Sequence, residues 1–255
     1  MQHADTLWFM FHNEQLLLQT SGPESLTIPR AATLPLPSRT MQHRIGTYHG
    51  LPCIACEVES VPESARYQAV GLRASYDLIG KELYQIAGRG AELQYWDTQS
   101  RYCPFCGEST LLASPTSKRC PQCGKEIFPG ISTAILALVR KEDMILLVRA
   151  HNFKGPNYGL VAGFLEPGET LEECVQREVM EETRLTIRNI RYFGSQPWPY
   201  PSGLMVGFSA DYVSGDIRLQ EDELSAAEFF RRDTLPLLPH ELSLARQMID
   251  WWRQS

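Results

Sequence analysis

The chain has 255 residues, a formal net charge of −6 and 43% hydrophobic residues. That length favours two or more domains, and the acidic balance argues against a general nucleic-acid binder, which is ordinarily basic. No apolar run approaches a membrane span, and the N-terminus lacks the basic-then-apolar plan of a secretory signal. Of seven cysteines, four form two C-x-x-C pairs that read as metal ligands in a reducing compartment, so the expected location is cytoplasmic.

Residues 1–97 read as a leading domain of mixed α and β structure without a catalytic signature. Leu7–Phe11, Gln15–Thr20 and Leu51–Glu59 have strand composition, broken by Gly-Pro and Pro-rich turns. Residues 74–87 are expected to form a helix with Leu78, Ile79, Leu83, Ile86 and Ala87 on one side. Cys53 and Cys56 sit in a predicted strand, where residues three apart face opposite ways, and read as two buried thiols.

Residues 98–129 hold Cys103-Pro-Phe-Cys106 and Cys120-Pro-Gln-Cys123, each followed by a glycine, Gly107 and Gly124, that lets the knuckle turn tightly. Four thiolates at this spacing suit tetrahedral Zn²⁺, and a closed four-thiolate shell leaves no position for substrate. The expectation is a structural zinc ribbon. Lys118, Arg119 and Lys125 keep a nucleic-acid-reading ribbon open as the functional alternative.

From residue 130 the pattern is again mixed. Ser132–Arg140 and Met144–Arg149 read as a hairpin, followed by positive charge at Arg149, His151 and Lys154, either a polyphosphate approach or solvated loop charge. The densest signal is the run from Gly163 to Leu185. Pro167-Gly168 predicts a turn, and Thr170 with Glu173 three residues on completes a capping-box pattern. Beyond it a helix places Leu171, Cys174, Val175 and Val179 on one apolar face, with Glu178 and Glu182 in the middle of that face and Glu172, Glu173, Gln176 and Arg177 pointing away. Inward carboxylates are costly unless a cation compensates them, and oxygen ligands suit Mg²⁺. Arg177, four residues before Glu181, is placed to pair with it. Ser195–Ser202 reads as a stiff proline-rich loop that either presents Trp198 and Tyr200 for stacking or pins the tryptophan into a core. Leu204–Val213 and Ala227–Arg231 read as strands, and His240–Arg253 as a closing helix with Leu242, Ala245, Met248, Ile249 and Trp252 inward.

The spacing from Gly163 through Glu169 to Arg177-Glu178-Val179-Met180-Glu181-Glu182 resembles the Nudix box, with Arg184 where that family usually has glycine. The order of four-cysteine ribbon, Nudix box and SQPWP-x-P resembles the NADH pyrophosphatase type of Nudix enzyme over roughly residues 78–245, with Tyr200 in place of the usual Phe. The resemblance implies an α+β chain whose residues 130–255 fold as an α/β/α sandwich around a mixed sheet. It implies cleavage of the NAD(H) pyrophosphate to nicotinamide mononucleotide and AMP, removal of an NAD cap from RNA, and a homodimer. It also implies Glu178, Glu182 and Glu223 as Mg²⁺ or Mn²⁺ ligands and Glu181 as a fourth catalytic carboxylate. Substrate contacts are implied at Phe128, Phe164, Gln196, Pro197, Trp198, Pro199, Tyr200, Pro201, Ser202, Gly203 and Ala245. Two other readings stay open at this stage: a Nudix pyrophosphatase for a different nucleoside diphosphate derivative, and a non-catalytic ligand-sensing regulator that binds nucleic acid.

Overall fold

The computed structural model describes residues 5–22, 25–62, 66–151 and 155–255; the Lys154 expectation lies outside them. The chain divides into two compact units, Met1–Gly130 with Trp198–Ser202, and Ile131–Pro197 with Gly203–Ser255.

The first unit opens with strands β1 (Thr6–His12), β2 (Gln15–Thr20), β3 (Leu26–Thr27), β4 (Arg30–Ala31), β5 (His43–Tyr48), β6 (Leu51–Glu57) and β7 (Tyr67–Gly71). They form one sheet with the path β3-β2-β1-β6-β5, β4 pairing β1 and β7 pairing β2. β1 and β6 run parallel, and Trp8, Met10, Leu17, Cys56 and Val58 pack as a core. Cys53 and Cys56 are both fully buried thiols, as expected from their strand.

The helix of this unit, α1 (Leu72–Gln99), is twice as long as the sequence pattern suggested and differs in phase. Gly80 breaks the helical backbone at φ 76°, ψ 168°, so residues before it do not continue the stripe that follows. Leu78 is accordingly exposed, and the buried stripe runs through Tyr84, Ala87, Gly88, Leu93, Gln94 and Asp97. At Gly90 a β-carbon would press on Ala55 and Ile45, so glycine inside the helix is what lets it lie close on the sheet.

Next comes a three-stranded ribbon of β8 (Leu111–Ser114), β9 (Ser117–Arg119) and β10 (Glu126–Ile127). Lys118 on β9 is buried with its Nζ 2.6 Å from Asp97 Oδ1, while Arg119 pairs with Glu126 and Lys125 lies over the Phe105 ring. Of the three cations that left a nucleic-acid ribbon open, Lys118 is thus out of reach of solvent, while Arg119 and Lys125 stay exposed.

The second unit comprises β11 (Ser132–Lys141), β12 (Met144–Ala150), β13 (Val161–Phe164), α2 (Leu171–Thr183), β14 (Thr186–Pro197), β15 (Gly203–Ser214), β16 (Leu224–Arg231) and α3 (Leu244–Gln254). Its sheet follows the path β14-β15-β11-β12-β16, with β13 on β11; β11 and β15 run parallel and the other pairs antiparallel. Alternation along β11 builds two layers. Ile135, Ala137 and Val139 face the core shared with α2, and Leu136 and Leu138 face the core shared with α3. This is an α/β/α sandwich on a mixed sheet.

Boundaries move from expectation, and β16 begins at Leu224 and not at Ala227. Ser195–Pro197 belong to β14, because Ser195, Gln196 and Pro197 pair with Val206, Met205 and Leu204 of β15. The last helix begins at Leu244, because the Ser243 hydroxyl accepts from the Arg246 N–H and caps it there. Among the described residues no helix is long and apolar enough to cross a membrane.

Candidate active site and metal centres

α2 starts where the sequence said it would. Thr170 Oγ1 accepts from the Glu173 N–H, and the Glu173 carboxylate takes the Thr170 N–H at 2.7 Å, closing the capping box. The other end is unusual: Arg184 sits at φ 61°, ψ 21°, the left-handed conformation that glycine supplies most easily, and its N–H still caps Met180 O.

Along this helix Cys174, Val175 and Val179 are buried in the core, and Glu178 and Glu182 are buried among them at 8% and 4% exposure. Glu182 Oε2 has no hydrogen-bond partner. Burial, then the charges of Glu178, Glu223 and Glu181, push the Glu182 carboxyl up to about 8. Burial also raises Glu178, against the opposing Arg177 guanidinium. Arg177 does not point away as the helical wheel suggested. Its guanidinium turns back to Glu169 at 2.6 Å, Glu178 at 2.8 Å and Glu181 at 3.0 Å, and donates to Phe164 O. The hydrogen bonds from Arg177 hold Glu169 down to about 2. Glu169 therefore serves as the arginine's counter-charge, while Glu181 keeps a half-exposed carboxylate.

Across from α2, β13 supplies Gly163, and a β-carbon built there would overlap the Glu178 carboxylate. Glu223 lies in the exposed turn before β16, near enough for its charge to raise both buried glutamates. Glu181 and Glu223 thus both act electrostatically on the buried pair Glu178 and Glu182. Hard divalent cations fit this all-oxygen donor set, and the orphaned Glu182 oxygen is a group that lacks such a partner.

The remaining predicted contacts scatter over both units. In the second unit Phe164 is exposed beside Gly163, and Ala245 is buried in the first turn of α3. Gln196 spends its side chain on the backbone: it donates to Leu242 O at 2.8 Å and accepts from the Leu244 N–H at 2.7 Å, fixing the start of α3. Pro197 and Gly203 pair into the β14 and β15 strands. In the first unit Phe128 is exposed. There Trp198 and Tyr200 meet edge to face at 5.1 Å, with Arg73 over both rings and Tyr84 hydrogen-bonded to Tyr200. Pro199 packs on Gly88, Pro201 is exposed, and Ser202 donates to Gly130 O. Arg73 and Tyr84 carry no motif and were invisible in the sequence.

The four cysteines of the ribbon bring their sulfurs within 4.8 Å of one another. Cys103 and Cys123 lie 3.6 Å apart and Cys106 and Cys120 3.4 Å apart. Four sulfurs each about 2.3 Å from a tetrahedral ion are about 3.8 Å apart, so the cluster fits zinc. Both knuckles close alike, Gly107 N–H on Cys103 O and Gly124 N–H on Cys120 O, each at 3.0 Å, with both glycines at positive φ.

An α/β/α sandwich with an acidic helix on its mixed sheet and a glycine cut out to admit Glu178 defines a Nudix hydrolase. The chain belongs to the NUDIX family: residues 129–252 match the NUDIX domain, and residues 5–96 the NADH pyrophosphatase-like rudimentary NUDIX domain. It is similar to the NAD-capped RNA hydrolase NudC of Pseudomonas aeruginosa, with 37% identity over 251 residues, 95% of this chain and 87% of that one. Against the protein of the same name from Escherichia coli, identity is 37% over 254 residues, 98% of this chain and 94% of that one. A NUDIX hydrolase structure from Nitrosomonas europaea shares the fold at a TM-score of 0.51, 19% identity, 60% of this chain and 91% of that one.

Proposed function

We propose that this protein hydrolyses the pyrophosphate bond of NAD(H) to nicotinamide mononucleotide and AMP, and removes the same group as a cap from the 5′ end of RNA. The observation that carries the reading is the pair of buried glutamates, Glu178 and Glu182, one with an orphaned oxygen, on the box helix. Two relatives of nearly full length bear the name NAD-capped RNA hydrolase. In this reading Glu178, Glu182 and Glu223 hold Mg²⁺ or Mn²⁺. The bound ion neutralises phosphate charge and lowers the pKa of water. Arg177 fixes the Glu178 and Glu181 carboxylates, and Glu181 is the member of the set left half-exposed beside them. Phe164, the β14–β15 segment Gln196–Gly203, Ala245 and Phe128 contact the dinucleotide.

The organisation we propose is a leading domain over 1–97, a zinc-stapled ribbon over 98–129 and a catalytic domain over 130–255, acting as a cytoplasmic homodimer. Product analysis with NADH and NAD-capped RNA side by side, with and without Mg²⁺ or Mn²⁺, tests the activity. The expected products are reduced nicotinamide mononucleotide with AMP from NADH, and nicotinamide mononucleotide with 5′-monophosphate RNA from the capped RNA, both only with metal. Faster turnover of a nucleoside triphosphate or a nucleotide sugar would replace this reading with that of another Nudix pyrophosphatase.

A further inference from the structure

Glu223 differs from its two partners in how it is held. Glu178 and Glu182 are fixed by a helix and a core, whereas Glu223 stands in an exposed turn directly after two acidic residues, Glu221 and Asp222, whose charges repel its own. A carboxylate on such a turn is placed by the bonds that fix the turn together with any made to the carboxylate itself. The structure shows two anchors. On one side, Gln220 N–H donates to Glu182 O at 3.1 Å and Arg218 N–H to Thr183 O at 3.1 Å, tying the approach to the end of α2. Gln220 O then closes the turn by accepting from the N–H groups of Glu223 and Leu224 at 3.0 and 2.9 Å, and Gln220 Nε2 reaches Glu223 Oε1 at 3.2 Å.

On the other side stands His151, just past β12. Its N–H donates to Glu223 O at 2.9 Å, and its ring Nε2 lies 3.0 Å from Glu221 O. A carbonyl only accepts, so this contact puts the ring proton on Nε2. One residue thus grips the turn at two points flanking Asp222. Immediately beyond, the β12–β16 pairing slips between Arg149 and Ala150, and Ser225 Oγ donates to Arg149 O at 2.9 Å. This irregularity is a place where a strand re-aims a side chain.

We infer that His151 is a positioning residue: its ring clamps the Glu221–Glu223 turn and so sets where the Glu223 carboxylate meets the divalent ion. The inference rests on the proposed reading of Glu223 as a metal ligand. The backbone half of the grip survives substitution by Ala or Gln, so the ring's share can be removed alone. His151→Ala in the full-length chain should weaken Mn²⁺ binding about three- to tenfold, the worth of one ordering hydrogen bond acting through a ligand. The melting temperature of the metal-free protein should stay within a degree or two, because the ring is exposed. His151→Gln, whose amide can still donate to Glu221 O, should recover most of the loss.

The measurement is Mn²⁺ titration followed by electron paramagnetic resonance without substrate, on wild type, both His151 variants and Glu223→Gln. In turnover, the metal concentration at half-saturation should shift while kcat at saturating metal stays. Weakened binding in Glu223→Gln with wild-type binding in His151→Ala would overturn the clamp and leave the ligand reading intact. Wild-type binding in Glu223→Gln would overturn both. Equal weakening in His151→Ala and His151→Gln would show that the donated hydrogen bond is not the cause.

Discussion

The carboxylate of Glu178 lies in the space that a side chain at residue 163 would fill. The first residue of the box motif is therefore glycine because of a residue fifteen positions later on another element, not because of its own backbone. Gly163→Ala must push the Glu178 side chain or separate β13 from α2. We expect Mg²⁺-dependent turnover to drop by at least 100-fold, as misplaced catalytic groups do. The helical circular dichroism should remain. Wild-type turnover in this variant would mean that Glu178 does not act from the position seen here.

Glu182 carries the strongest pH signature. In the metal-free protein, burial and three neighbouring carboxylates raise its pKa to about 8. Between the ordinary glutamate range and about 8 the folded chain thus keeps a proton that the unfolded chain has lost. Metal-free stability should be greatest at the acid end of that window and fall as pH rises through it. A divalent ion must displace that proton, so its affinity should climb with pH up to about 8, by at most about tenfold per unit. Glu182→Gln removes the titrating group. It should flatten both dependences, cut turnover by orders of magnitude and leave the metal-free melting temperature no lower. Calorimetric metal titrations at several pH values read the effect, and an unchanged slope in the variant would assign the proton elsewhere.

The ribbon makes a separate demand. Its four sulfurs converge within one coordination sphere, and Lys118 ties it to Asp97 at the end of α1. Purified protein should carry about one zinc per chain. Cys103→Ser with Cys106→Ser should release it and lower the melting temperature, while Cys53→Ser with Cys56→Ser should leave zinc content unchanged. Zinc retained in the first variant, by metal analysis, would sink the four-thiolate assignment.

What the sequence revealed, and what it hid, follows the range of each interaction. The capping box at Thr170 and Glu173, the inward placement of Glu178 and Glu182 and the two cysteine knuckles are local patterns, and all are present in the structure. The phase of α1 was lost at Gly80, a single non-helical residue that periodicity cannot detect. Arg177 was assigned outward because a helical wheel gives the direction of Cα–Cβ, whereas a long guanidinium can turn back to Glu169. Arg184 shows the same limit from the other side. It stands where the family usually has glycine, yet the arginine adopts the left-handed cap itself, at a cost of about 1 kcal/mol. The roles of Gln196 and Arg73 depend on partners far away in sequence, and no spacing announces them.

Trp198 joins the two halves of the substrate question. Its flanking prolines leave the ring little freedom to lose, and here it is half-buried, edge to face with Tyr200 and under Arg73. A ring held this way is a ready wall for a base or nicotinamide, worth about 1–3 kcal/mol by stacking precedent. Trp198→Ala should then lower kcat/KM for NADH about five- to 150-fold and spare a small diphosphate substrate that cannot reach the loop. The Mg²⁺ requirement should not change, since the glutamates are on other elements. The same ring also packs within the first unit, so a melting temperature must accompany the kinetics. Equal losses on both substrates with a large fall in melting temperature would make Trp198 a packing residue and move selection of the dinucleotide to Phe128 and Phe164.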